Sequence, residues 1–401
     1  MGILITHPGR QHSHQAALGL AREGLLAGYW AGVPCLPEQR GAIPERLWRH
    51  FIAYEPAPLP APLVGWQPGV PALRRLGDAL LPRGVAAWTD FAACRAFDRW
   101  AAGRIDDAGA EGVIACEISA LSTLEEARRR GLLAVLDAPS IHPEAQDRLH
   151  GTADSAALHR RIRAVKEREI ELAEAVFTVS ELARQTYLDA GVAADKVHAL
   201  PLGADLERFF PRSGAAASAP RETFTFLFAG ATIRRKGFDL LLDAFARVER
   251  EAPAARLRIA GPRGELAPLL ASASERVTFL GPVRQEELAR ELRAADCFVL
   301  PSRNDSYGMV VAEALASGVP ALVSEMVGAK ELVDEGETGW IVPVDDVQAL
   351  TERMLWCARH PGEVRARRDA CRRAAEAATW PAYHRWLADL VRRLVAGEQR
   401  P

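Results

Sequence analysis

Two carboxylates stand eight residues apart in PSRNDSYGMVVAEALASGVP, residues 301–320: Asp305 and Glu313. Pro301 ends a short apolar strand, Gly308 lies in a bend, and the pattern predicts a helix opening near Ser306 or Tyr307. The free N–H groups and dipole of a helix mouth beyond a strand end favour an anion, typically a phosphate. Asp305 then sits at the rim, and Glu313 lies up to ~12 Å further along at ~1.5 Å of rise per residue, on nearly the same side. That span suits a ligand with a diphosphate in its middle and groups needing carboxylates at both ends, as a nucleotide-sugar has. A carboxylate can accept from two vicinal ribose hydroxyls. Spacing alone equally allows a plain N-cap at Asp305 and a surface position for Glu313. The apolar setting MVVAEALA argues against the latter, because an unpaired carboxylate there is costly.

A second feature lies in FLFAGATIRRKGFDLLLDAF, residues 226–245. A strand ends at Gly230, the following loop carries Arg234, Arg235 and Lys236, and Gly237 opens a helix. Cations at a helix mouth suit a diphosphate. The segment is neither the dinucleotide fingerprint, since the Gly-x-Gly-x-x-Gly spacing is missing, nor a Walker loop, since no Gly-Lys-Ser/Thr is present. Alone, such a loop also reads as a solvated turn. Beside residues 301–320 in the same half of the chain, the phosphate reading is the better one.

The elements that must position these residues follow a regular order. In the first half, strand candidates are Gly2–Thr6, Gly112–Cys116, Leu132–Asp137, Ala175–Ser180 and Lys196–Pro201. In the second they are Thr225–Ala229, Leu257–Ala260, Val277–Leu280, Cys297–Pro301, Ala321–Ser324 and Trp340–Pro343. Helical spacing separates them, for example in HQAALGLAREGLL and RQEELARELRAAD, with a further helix expected at AKELVDEG. Alternation of this kind predicts a parallel sheet covered by helices on both faces, and it occurs twice. The fold class is therefore α/β, with two doubly wound, Rossmann-like domains facing a cleft. PRSGAAASAPRET, residues 211–223, reads as the linker. Residues 34–100 read as an insertion with short helices. WPAYHRWLADLVRRLVAG reads as an amphipathic helix with the stripe Trp380, Tyr383, Trp386, Leu387 and Leu390.

The 401 residues exceed one ordinary core at roughly 150 residues per domain. Hydrophobic residues at 49% and charged residues at 25% are globular values, and a net charge of −2 gives no global attraction to nucleic acid. No run approaches the ~18 apolar residues of a membrane span. MGILITHPGR lacks a signal peptide's basic region and long apolar core, so a cytoplasmic location is expected. Six scattered cysteines show no Cys-x-x-Cys pair and read as reduced, buried thiols.

The chain resembles the retaining nucleotide-sugar glycosyltransferases of the GT-B fold, in the group 1 class of glycosyltransferase family four. The resemblance is strongest from Glu169 to Pro343. REIELAEAVFTVSELARQTYLDAGVAADKVHALPLGADLERFFP is similar to the segment closing the N-domain, AGATIRRKGFDLLLDAF to the basic donor-phosphate loop, and LPSRNDSYGMVVAEALASGVPALVS to the signature of two acids separated by seven residues. GAKELVDEGETGWIVPVDD and TWPAYHRWLADLV resemble the stretch after it and the C-terminal helix that crosses back onto the N-domain. The resemblance implies an acceptor domain over residues 1–205, a donor domain over 206–375, and that helix over 376–401.

By the same resemblance, Glu313 binds the donor ribose and Asp305 lies near the transferred sugar. Gly230 and the backbone around Tyr307, Gly308, Met309 and Val310 hold the sugar or diphosphate, and Arg235 and Lys236 neutralise the leaving diphosphate. Val283, in the turn at Gly281–Arg284, lies near the base. No cofactor and no metal are implied. Two departures stand out: Asp305 replaces a glutamate, and Ala231 stands where many members carry arginine, a contact Arg234 could supply. In the N-terminal half, Gly9, Arg10 and His12 are implied on the acceptor side, in a loop that also carries His7 and His14. Asp137 and His142, after the strand in LLAVLDAPSIHP, are the candidates to orient or deprotonate an acceptor hydroxyl, with Glu117 a further one. Arg160, Arg161, Arg163, Lys166 and Arg168, with Arg46, Trp48, Arg49 and Phe51, form candidate contacts for anionic lipid at the inner membrane surface, or a solvated face. The expected reaction is hexose transfer to a glycan or lipid-linked acceptor in cell-envelope polysaccharide or lipopolysaccharide assembly. The alternatives are a synthase acting on a small soluble sugar, and a non-catalytic nucleotide-sugar-binding protein whose site has decayed at Asp305 and Ala231.

Overall fold

The computed structural model describes residues 2–33, 59–67, 69, 81–150, 156–212 and 222–397. Its contacts divide the chain into two units. The first holds Met1–Val179, Ala183–Leu200 and Tyr383–Pro401, and the second Ser180–Leu182 and Pro201–Ala382. Residues 213–221 of the linker expected at 211–223 lie outside those described, as do Cys35, Arg46, Trp48, Arg49 and Phe51.

The first unit is built on seven parallel strands: β1 (Ile3–His7), β2 (Leu26–Ala31), β3 (Val64–Trp66), β4 (Gly112–Cys116), β5 (Leu133–Ala138), β6 (Ala175–Thr178) and β7 (Val197–Ala199). Their order in the sheet is β3-β2-β1-β4-β5-β6-β7. Every residue of β1, β4 and β6 is buried, as strands covered by helices on both faces must be. Two of the strands were not foreseen. The predicted first helix ran on into Leu26, but Gly24 takes a left-handed φ of 67°, which ends α1 (Ser13–Arg22) and frees LAGYWA to pair with β1. β3 lies in the stretch read as an insertion, whose described part also holds a long helix, α2 (Arg83–Ala102); the rest of that stretch, residues 34–58, 68 and 70–80, lies outside the described residues.

The second unit has six parallel strands: β8 (Phe224–Ala229), β9 (Ala255–Ala260), β10 (Val277–Gly281), β11 (Cys297–Leu300), β12 (Ala321–Ser324) and β13 (Gly339–Val342). The sheet order is β10-β9-β8-β11-β12-β13. All six foreseen strands are present, because each is a short apolar run bounded by turn residues. The stretch AKELVDEG forms only a 3₁₀ turn, Gly328–Leu332, instead of the helix expected. The order in which successive strands are added to the sheet reverses between β8 and β11 here, and between β1 and β4 in the first unit, while all strands stay parallel. In open parallel sheets, ligands bind beyond the strand ends at such reversals.

The C-terminal helix, Trp380–Val395, belongs to the first unit from Tyr383 onward. His384 bonds Gln15 at 3.0 Å and Arg392 pairs with Glu23 at 2.6 Å. Tyr383, Leu387 and Leu390 are buried, but Trp386 is 45% exposed and drops out of the expected apolar stripe. It lies three residues beyond Tyr383, at the edge of the buried face. Among the described residues no helix is long and apolar enough to cross a membrane.

Candidate active site

The loop after β8 and the loop after β11 emerge side by side at the reversal in the second sheet. They are tied together at the backbone and by side chains. Arg303 N–H donates to the Arg235 carbonyl at 2.9 Å. The Arg235 guanidinium donates to the Asn304 carbonyl at 2.8 Å. Lys236 forms an ion pair with Asp305. Gly237 is required where these loops meet: its φ is 67°, and a Cβ there would lie 1.9 Å from the Pro301 carbonyl oxygen. The phosphate loop and the first signature acid expected from sequence are thus brought together in one place.

The helix carrying Glu313 begins later than expected. Gly308, at φ 86°, is its N-cap, and α3 (Met309–Ala316) follows. Asp305 therefore does not sit on a helix rim. It lies in an extended bridge to Val327, with its N–H on the Met326 carbonyl and its carbonyl on Gly328 N–H, both at 2.9 Å. The left-handed glycine breaks the helical run, and a Cβ on it would approach Val327 Cγ1 to 2.9 Å. Tyr307 is held inward by a hydrogen bond to the Leu202 carbonyl. Met309 is exposed and Val310 half-buried.

Glu313 is 5% exposed, and its Oε2 has no hydrogen-bond partner among the described residues. Burial pushes its carboxyl up to about 7, against the pull of Arg208 and with the push of Asp205. A buried acid with one oxygen unoccupied is a group held ready for donors that the protein does not supply.

Other residues stand differently. Gly230 N–H bonds the Ala260 carbonyl at 2.8 Å. Arg234, the candidate substitute for an arginine at Ala231, is exposed and reaches Asp239 at 3.8 Å. Val283 is half-buried in the turn before Gln285–Ala294, beside the sheet's edge strand. Sequence reading passed over Arg303. Its guanidinium donates to Asp239 at 2.7 and 2.9 Å, to the Arg234 carbonyl at 2.6 Å and to Asp345 at 2.6 Å. Nothing in the local pattern names partners so far away in the chain.

In the first unit, polar side chains gather at the carboxyl ends of β1, β4 and β5. His12 Nε2 lies 3.1 Å from Asp137 Oδ1, and both are buried. Burial opposes charge on His12, but the Asp137 carboxylate outweighs it and raises the imidazole above its ordinary value. Asp137 thus teams with His12. His142 has other neighbours: its backbone N–H donates to Thr186, and its ring stands edge-on to Tyr187 at 5.1 Å. Burial lowers His142. Gly9 N–H donates to His7 Nδ1 at 2.8 Å, and Arg10 is buried. Glu117 is engaged by Lys166 at 2.9 Å and by Ser140 at 2.8 Å. Lys166 is 3% exposed, which removes it from the expected basic surface. Its ammonium is drawn inward by Glu117, Ser140 and Gln146. Arg163 is paired with Asp147 and Glu167, while Arg160 and Arg161 remain exposed.

Residues 223–360 match the family described as glycosyl transferases group 1. The D-inositol 3-phosphate glycosyltransferase of Nocardia farcinica is 38% identical over 201 residues, 45% of this chain and 44% of that protein. The chain spans about half the length of the curated relatives it matches. Among solved structures, sucrose-phosphate synthase from Thermosynechococcus elongatus superposes with a TM-score of 0.75 at 21% identity, over 99% of this chain and 100% of that one. Anabaena HepE, solved in complex with UDP, superposes with a TM-score of 0.66 at 16% identity, over 98% and 99%. The chain has the GT-B fold, and its residues 223–360 are similar to the group 1 glycosyl transferases.

Proposed function

We propose that this protein is a retaining glycosyltransferase that moves a hexose from a nucleoside diphosphate to an acceptor hydroxyl, in cell-envelope polysaccharide or lipopolysaccharide assembly. The observation that carries the reading is the joining of Lys236, Arg235 and Asp305 at the β8–β11 reversal, with Glu313 buried in the helix that follows and its Oε2 without a hydrogen-bond partner among the described residues. Glu313 accepts from the ribose hydroxyls, and Asp305 holds the transferred sugar. Arg235 and Lys236 stabilise the charge that grows on the diphosphate as the glycosidic bond breaks. That assignment needs no metal. The UDP held by Anabaena HepE makes UDP-sugars the first donors to try. His12, paired with Asp137, lies on the acceptor side in this reading, and the donor phosphate helps to accept the acceptor's proton.

The test is turnover of UDP-, GDP- and ADP-sugars with polysaccharide and lipid-linked acceptors, with the anomeric configuration of the product read by NMR. One donor consumed with retention, in the presence of EDTA, is the expected result. Inversion, or no donor consumed even by slow hydrolysis, overturns it. A second reading has its own support. The relative from Nocardia farcinica is named for a small phosphorylated acceptor, D-inositol 3-phosphate. Faster transfer to a soluble sugar or sugar phosphate than to any glycan would favour that reading.

A further inference from the structure

We infer that Arg303 is a positioning residue for the diphosphate: it fixes the cationic loop 234–236 through Asp239, Asp345 and the Arg234 carbonyl without touching the ligand itself. The inference rests on the donor-site reading above.

The geometry is specific. Arg235 and Lys236 are long side chains on a short 3₁₀ turn, Arg234–Lys236, and such a turn has little hydrogen bonding of its own to hold it. Arg303 supplies the missing ties from the neighbouring loop. Its backbone N–H holds the Arg235 carbonyl at 2.9 Å, and its Nη1 holds the Arg234 carbonyl at 2.6 Å. Behind the turn, both of its terminal nitrogens meet Asp239, in the first turn of the helix Phe238–Glu251, as a two-point fork. Its Nε–H goes to Asp345 Oδ1 at 2.6 Å. Asp345 itself has a φ of 60°, a left-handed conformation that is uncommon for a residue other than glycine.

Four of the five N–H donors of Arg303 are therefore committed to protein acceptors. The side chain is only 13% exposed, so little of it is left for a ligand. What Arg303 can do is lower the freedom of the two cations it backs. A cation pair already aimed loses less entropy when a phosphate arrives. Lysine at 303 keeps the charge and three donors on a single nitrogen but cannot reproduce the planar fork.

The experiment is calorimetric titration of UDP, GDP and ADP, and of the matching monophosphates, into wild type, Arg303→Met, Arg303→Lys, Asp345→Ala, Lys236→Ala and the Lys236→Ala/Arg303→Met double variant. The readout is the ratio of diphosphate to monophosphate affinity, using the nucleotide that wild type binds best. Melting temperatures are recorded alongside. Arg303→Met should cut the ratio about tenfold, a coupling of the size seen for residues in one network. Arg303→Lys should restore part of it, Asp345→Ala should show a smaller loss, and Arg303→Met should cost less once Lys236 is gone, the remainder acting through Arg235. Should Arg303→Met fail to fold, Asp345→Ala carries the test, because that partner is 57% exposed at its side chain. A wild-type ratio in Arg303→Met, or in Asp345→Ala if only that variant folds, overturns the inference. So does an equal loss with and without Lys236, which would mean that Arg303 meets the phosphate directly. Failure of wild type to bind any of the nucleotides would instead overturn the donor-site reading, and the inference with it.

Discussion

Replacing Glu313 with glutamine should make the protein more stable and a poorer binder of nucleotide. The carboxyl is buried and its ordinary value of 4.5 is raised to about 7, chiefly by burial. An acid raised in the folded state is held protonated there while the unfolded chain has already ionised. The folded protein therefore loses stability as pH rises from 4.5 through 7. At 1.36 kcal/mol per pKa unit, the penalty reaches about 3 kcal/mol at pH 8 as an order of magnitude, and about 1 kcal/mol at pH 5.5. Glutamine has the same shape and no charge, so it avoids the penalty at both values. The gain in melting temperature should be largest at pH 8, at roughly 2–4 °C per kcal/mol for a unit of this size, and should shrink towards pH 5.5. On the proposed donor reading, the same change removes a charged acceptor for the ribose hydroxyls, which is worth about 1.5–3 kcal/mol, or roughly ten- to a hundredfold in affinity. Scanning calorimetry at pH 5.5 and 8, with and without UDP, GDP or ADP, reads both effects. A glutamine variant that is less stable at pH 8, or whose gain does not depend on pH, would refute the reasoning. It would mean that the carboxylate is satisfied within the protein.

Other outcomes follow from the same geometry. Gly237→Ala should destabilise the second unit by about 2 kcal/mol or more, since a Cβ meets the Pro301 carbonyl at 1.9 Å and the backbone is left-handed; urea unfolding measures it. Lys236→Ala should weaken diphosphate binding at least tenfold and flatten its dependence on salt. Asp137→Asn should lower stability more at pH 5.5 than at pH 8. His12 is raised in the fold by Asp137, so its contribution is fully present below its ordinary value of 6.5 and is lost as pH rises through the higher folded value. Melting curves at the two pH values check the sign. Anionic vesicles should recover less protein after Arg160 and Arg161 are both changed to Glu, whereas equal recovery on neutral and anionic vesicles would exclude a lipid surface.

The second sheet was readable because each of its strands is a short apolar run closed by glycine, proline or a charge, and the run itself fixes the element. β2 was not, because LAGYWA follows a helix whose apolar spacing continues into it; only the backbone at Gly24 separates them. Asp305 and Glu313 stood out by their spacing, but their reading as signature acids came from the family resemblance. Their actual relation was not legible, because the left-handed Gly308 moves the helix start to Met309 and leaves Asp305 in an extended bridge. Long-range partners were the least legible. Arg303 with Asp239 and Asp345, Lys166 with Glu117, and His12 with Asp137 each join residues far apart in the chain and on different elements. A charge in a sequence does not say whether it faces water or a distant counter-charge.

Hydrogen–deuterium exchange with and without saturating UDP, GDP or ADP reports where a nucleotide rests on the second unit. Exchange should slow in 230–238 and 308–313 with one of the three, and stay unchanged in 121–135 of the first unit. Protection confined to other segments, or none with any nucleotide, would contradict the proposed donor site.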